Sequence, residues 1–187
     1  MISPVIASSI LFLSSLPLAL LVQAPVSLEI FNATRLEFNR QGMIILGVWA
    51  LLNLCVGAVG AFKSKGQIQA FHQMNAYWNL VNLGIAAFGL WQASQGLMAI
   101  HFWEVFSAQQ QIEKVLLFNT GLDVAYLTIG FFLIERGRRL EKDSWIGFGK
   151  SILLQGAFLL LFDGILVMFQ QELGIELLEW AKLIRPE

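Results

Sequence analysis

Two carboxyls, Asp123 and Asp163, each stand inside a long apolar stretch of the chain, and they are the residues best suited to proton or cation chemistry. An Asp at the centre of a membrane span costs roughly 2.5–3.5 kcal/mol on insertion scales, so such a residue is a functional candidate by default. At about 100° per residue, Asn119, Asp123, Tyr126 and Gly130 share one helical stripe, as do Gln155, Leu159, Asp163 and Gln170. Counting about 1.5 Å of rise per residue puts both carboxyls roughly 9–12 Å from the outer end of their spans. At equal depth on neighbouring helices they could meet, and two carboxyls in a low dielectric do not both ionise. The structural alternative is that each accepts bonds from Tyr126, Asn119 or a Trp, or pairs with Arg40 at the outer face, and locks the bundle.

A second set consists of carboxamides. Asn75, Asn79 and Asn82 fall within an arc of roughly 60° on the stretch from Phe71 to Gly89, and Ala86 and Gly89 continue the same face. Upstream, Gly42, Trp49, Asn53, Gly57 and Gly60 form a similar stripe. Depth counting places Asn53, Asn82 and Gln155 at roughly 12–14 Å from the cytoplasmic boundary, which predicts one hydrogen-bonded layer. In hydrocarbon an amide must find a partner, so these faces should point at one another.

Other chemistry is poorly served. His72 and His101 fall on opposite sides of the expected membrane, so they cannot jointly ligate a haem or metal in one subunit. The single cysteine, Cys55, excludes an intramolecular disulfide and a CxxC pair. No Ser-His-Asp set, HExxH, phosphate loop or dinucleotide fingerprint is present, so no catalytic, cofactor-binding or metal residue and no cofactor is expected. A net charge of −1 without a basic block gives nucleic acid no surface.

The elements that must position these residues follow from composition. Of 187 residues 57% are hydrophobic and 13% charged, and the mean hydropathy is +0.67, which is the membrane class. Residues 1–24 read either as a signal peptide ending at Val22-Gln23-Ala24 or as an anchoring first helix, with the balance towards cleavage. Residues 25–187 form a single membrane domain. It is expected to contain an interfacial amphipathic helix at about 26–40, spans at about 41–62, 74–93, 115–134 and 145–169, and an interfacial tail at about 170–187. Between the second and third spans, Ser94 to Lys114 reads as an outer connection at the membrane surface. Lys63, Lys65, Arg136, Arg138, Arg139, Lys142 and Lys150 on one side outweigh Arg35, Arg40, Lys114, Lys182 and Arg185 on the other. The bias places the 63–73 and 135–144 loops in the cytoplasm and the C-terminus outside.

Phe31-Asn32 with Arg35, Asn39-Arg40-x-Gly42-Met43, Trp49-Ala50-x-x-Asn53 and Phe71-His72-x-Met74-Asn75-x-x-Trp78-Asn79-x-Val81-Asn82 form a distinctive set. With Asn119-x-Gly121-Leu122-Asp123-x-x-Tyr126 they resemble a family of small four-span bacterial membrane proteins of unknown function. The resemblance implies a signal peptide ahead of four spans and a bacterial inner-membrane setting; it brings no activity.

The expected fold is an all-α antiparallel four-helix membrane bundle with interfacial helices near both ends. The leading functional expectation is a non-enzymatic scaffold or accessory subunit, whose partners are the lipid bilayer and another membrane protein or a second copy of itself. The alternatives are a small transporter or proton pathway through Asp123 and Asp163, and an enzyme acting on a lipid or quinone.

Overall fold

A computed structural model describes residues 24–94 and 101–184, and the expected signal or anchor segment at 1–24 lies, but for Ala24, outside the described residues. Four helices account for nearly all of the described chain: α1 (Ala24–Lys63), α2 (Gly66–Ser94), α3 (Phe102–Arg139) and α4 (Asp143–Ile184). There is no strand among the described residues. At about 1.5 Å per residue, the 42 residues of α4 run for about 63 Å, twice the hydrocarbon thickness of a bilayer. α1, α3 and α4 are each long and apolar enough to cross a membrane. α2, which carries the asparagine stripe, is the exception.

Three boundaries differ from the sequence expectation. The segments at 26–40 and 170–184 are not separate helices; they continue α1 and α4 without a break. The stretch from Phe102 to Lys114 likewise opens α3. The charged residues that marked those boundaries show only where a helix would leave hydrocarbon, and nothing at residues 36–41 stops a helix. Glu37 instead bonds Arg40 one turn on, which favours helix continuation. The apolar faces of the three extensions cover one another: Leu28 and Phe31 of α1, Val105 of α3 and Leu177 of α4 form a buried cluster, flanked by Phe102, Phe106, Leu173 and Trp180.

The chain is inside out relative to a bundle in water. Asn75, Asn79, Asn82, Gln109, Asp123, Gln155, Asp163 and Gln170 are buried, while Val48, Leu52, Val56, Leu80, Phe88, Phe131, Leu161 and Met168 face outward. Cys55 also faces outward. Small residues set the helix spacing: a Cβ on Gly57 of α1 would stand 2.8 Å from the backbone nitrogen of Ala76, and one on Gly149 of α4 would stand 2.6 Å from the Gly130 carbonyl oxygen of α3. Close packing therefore joins α1 to α2 and α3 to α4, and α2 also packs on α4. α2 and α3 make little direct contact. That missing contact creates the feature described next.

Candidate functional site

Between α2 and α3 lies a cavity of about 560 Å³, within the usual range for a small-molecule site. Its walls are apolar side chains of all four helices, among them Met43, Leu46, Ile85, Leu116 and Phe162. Tyr77, Val81, Ile85 and Val115 line it while remaining more than half exposed, so the mouth opens on the apolar flank of the bundle. Trp78 and Tyr126, both lining the cavity, meet edge to face with ring centroids 4.7 Å apart.

The polar part of the wall consists of Asn82 from α2, Asn119 and Asp123 from α3, and Asp163 from α4. Asp123 of α3 and Asp163 of α4 border the same chamber as neighbouring carboxyls. Both residues are buried, and Asp123 is only 2% exposed. Its Oδ2 has no hydrogen-bond partner, and neither does Nδ2 of the buried Asn82. The wall thus presents an unused acceptor and an unused donor, each buried and each belonging to a residue that lines the cavity.

Below this layer, the remaining amides form a different structure. Trp49 donates from Nε1 to Gln155 Oε1 at 2.9 Å, and its ring stacks on Phe158 at 3.8 Å. Gln155 donates to Asn75 Oδ1, Asn75 donates to the Asn53 carbonyl at 3.0 Å, and Asn79 donates to the Asn75 carbonyl at 2.8 Å. The expected layer of Asn53, Asn82 and Gln155 is therefore corrected: Asn75 and Asn79 take the place of Asn82, which joins the carboxyls. The physical reason is the start of α2. With the helix beginning at Gly66, Asn75 is more than two turns inside it and level with Gln155, instead of at its end.

Arg40 is also corrected. It binds Glu37 in an exposed pair at 2.6 Å and takes no part in the carboxyl site. Tyr126 and Asn119 do line the cavity beside Asp123, as their shared stripe implies.

A third polar group was not singled out from sequence. Gln170 donates to Asn39 Oδ1 at 2.6 Å, and Gln109 donates to the Gln170 carbonyl at 2.7 Å, tying α1, α3 and α4 together above the cavity. Gln170 continues the stripe of Gln155 and Asp163, and that was the available signal. Gln109 was hidden in a segment read as a surface connection.

The model of a family of unknown function, DUF6992, matches residues 45–164, more than half of the chain. The chain belongs to DUF6992. The matched DUF6992 stretch takes in both carboxyls and the whole inner amide layer, and leaves out the Phe31 to Arg40 segment. No curated protein and no solved structure matches the chain.

Proposed function

We propose that the protein is a multi-pass membrane protein that binds a membrane-soluble molecule in the cleft between α2 and α3. The observation that carries this is the cavity itself: an apolar chamber open on the bundle's apolar flank, with unused buried polar atoms on Asp123 and Asn82 at its wall. The apolar body of a ligand would enter from the hydrocarbon, and its polar group would satisfy those atoms. This is a non-enzymatic reading, in which the carboxyls bind and do not react.

In this reading all four helices cross the membrane, α2 burying its asparagine face against its neighbours and turning Leu80, Ile85 and Phe88 outward. The links at 64–65 and 140–142 face the cytoplasm, on the Lys and Arg bias. A bacterial inner membrane and a cleaved segment before Ala24 belong to the same proposal.

A scaffold or accessory role is a second reading, and one observation favours it. On the outer extensions of α1 and α4, Ile30, Ile175, Leu178 and Leu183 are exposed beyond the length needed to span a bilayer. They would meet another membrane protein or a second copy of this chain. A transport role would use the same carboxyl pair, with the flank opening as its access route.

The test is lipid extraction and mass spectrometry of purified protein, comparing wild type with Val81→Trp/Val115→Trp. Both positions lie at the mouth and are exposed, so the change blocks the cleft without disturbing the core. The expected result is a near-stoichiometric lipophile on the wild type and its loss from the blocked variant. Equal amounts on both would end the cleft reading and leave the scaffold.

A further inference from the structure

Resting on the cleft reading above, we infer that the molecule bound there is a neutral lipophile headed by a hydroxyl, which bridges Asn82 and Asp123 across the cleft. The register of the helices sets the geometry. The ring centroids of Trp78 on α2 and Tyr126 on α3 lie 4.7 Å apart, which fixes the height of one antiparallel helix against the other. Asn82 comes four residues after Trp78 and Asp123 three residues before Tyr126, which on antiparallel helices is the same direction in space. At about 1.5 Å per residue the two stand within about 2 Å of one level, on facing walls of the chamber. Asn82 Nδ2 and Asp123 Oδ2 have no hydrogen-bond partner, although their residues are only 4% and 2% exposed. They do not bond each other, because α2 and α3 make little direct contact and the cleft keeps their side chains apart.

Hydrogen-bond capacity then selects the head of the ligand. Asn82 Nδ2 can only donate, so the head must accept. Asp123 Oδ2 accepts unless a proton sits on that oxygen, in which case it donates; a hydroxyl, with one proton and two lone pairs, answers either form. The head is therefore the same whatever charge the carboxyls carry. An ammonium donates only and leaves Asn82 unmet, whereas an ether or ester accepts only and leaves an accepting Oδ2 unmet. A phosphate or carboxylate head would bring a negative charge beside two carboxyls, and none of the described residues lining the chamber is Lys, Arg or His. A hydroxyl is the smallest head that both donates and accepts. The Asn82 amide and the Asp123 carboxyl turn on χ2 torsions with broad wells, so each can swing towards an incoming oxygen at little cost. The body of the ligand is hydrocarbon, since Met43, Leu46, Ile85, Leu116 and Leu159 line the remaining space and the mouth opens on the apolar flank.

The experiment uses the delipidated full chain in detergent micelles, equilibrated with an equimolar mixture of dodecanol, undecyl methyl ether and tridecane. These unbranched probes have equal numbers of non-hydrogen atoms, and their heads respectively donate and accept, accept only, and do neither. The protein is repurified and extracted, and the bound probes are quantified by gas chromatography with mass spectrometry. The mouth-blocked Val81→Trp/Val115→Trp protein gives the background carried by the micelle. Dodecanol is expected to be enriched about tenfold over tridecane, and the ether about threefold. Asn82→Leu should cut the lead of the alcohol to about threefold and abolish that of the ether, whereas Asp123→Leu should bring the alcohol down to the ether and leave the ether's lead intact. Equal enrichment of all three probes on the wild type would overturn the hydroxyl head but leave the cleft standing. An ether enriched as strongly as the alcohol would do the same, and neither comparison needs a variant to fold. An unchanged lead of the alcohol in folded Asn82→Leu would overturn the bridge. If no probe binds above the mouth-blocked background, the cleft reading fails together with this one.

Discussion

Two buried polar layers lie about 12 Å apart along α4, one centred on Gln155 and the other on Asp163, and they use their polar atoms in opposite ways. In the Gln155 layer, donors and acceptors from α1, α2 and α4 satisfy one another, and the Trp49–Phe158 stack fills the space beside them. Asn79 Oδ1 and, one turn along α4 from Gln155, the buried Ser151 hydroxyl are exceptions there, and neither residue lines the chamber. In the Asp163 layer the two carboxyls border a chamber, with Asp123 Oδ2 and Asn82 Nδ2 unused. A satisfied network with no cavity holds helices in register, whereas an unsatisfied one beside a cavity is prepared for something else to complete it. Polarity at depth is therefore not enough to mark a site; the hydrogen-bond count and the space around it separate a lock from a binding surface.

Asn75→Ala should break the lock most strongly. It strips Gln155 of an acceptor and removes the bond to Asn53, at roughly 0.6–1.7 kcal/mol for each interhelical bond, and it leaves the Gln155 amide unpartnered. A loss of about 2–3 kcal/mol is expected in unfolding measured in detergent micelles. Asp123→Asn should behave differently in the same assay, changing stability by less than about 1 kcal/mol. The amide has nearly the same shape as the carboxyl, and the substitution removes a buried ionisable group. A loss as large as that of Asn75→Ala would show that both layers are locks, and the contrast would collapse.

The smallest effect belongs to the surface. Arg40 and Gln41 hold the Glu37 carboxyl at about 2, below its ordinary 4.5, first by hydrogen bonds and then by the Arg40 charge. A depressed folded value means that the stabilisation is present above the unfolded value and is lost as pH falls from about 4.5 towards 2. Because the pair is exposed, Glu37→Gln should lower the melting midpoint only slightly near neutral pH. The gap between variant and wild type should close as the pH falls through that window. A gap independent of pH would mean that the residue acts through packing instead of charge.

Particular residues show how much was legible beforehand. Asp123 and Asp163 were expected at similar depth from helical rise alone, and both line the cavity between α2 and α3. Asn119 and Tyr126 were placed beside Asp123 by periodicity, and they line the same cavity. Asn82 was assigned to the wrong layer because a hydropathy window located the start of α2 about two turns late. Arg40 was drawn towards the carboxyls by charge complementarity, but Glu37 is one turn away on the same helix and needs no tertiary contact to reach it. Gln109 escaped notice because its importance lies wholly in what Gln170 does on another helix.

What the sequence by itself determined is the local physics: helices, their apolar outer faces, and the stripes on which buried polar groups must fall, since all of these follow from composition and a period of 3.6 residues. Only the tertiary structure decided which stripes meet. Helix rotation and axial offset are set by close contacts such as Gly57 against Ala76 and Gly149 against Gly130, which no single helix contains. The same contacts draw α1 onto α2 and α3 onto α4, and leave between α2 and α3 the space in which two carboxyls remain incompletely satisfied.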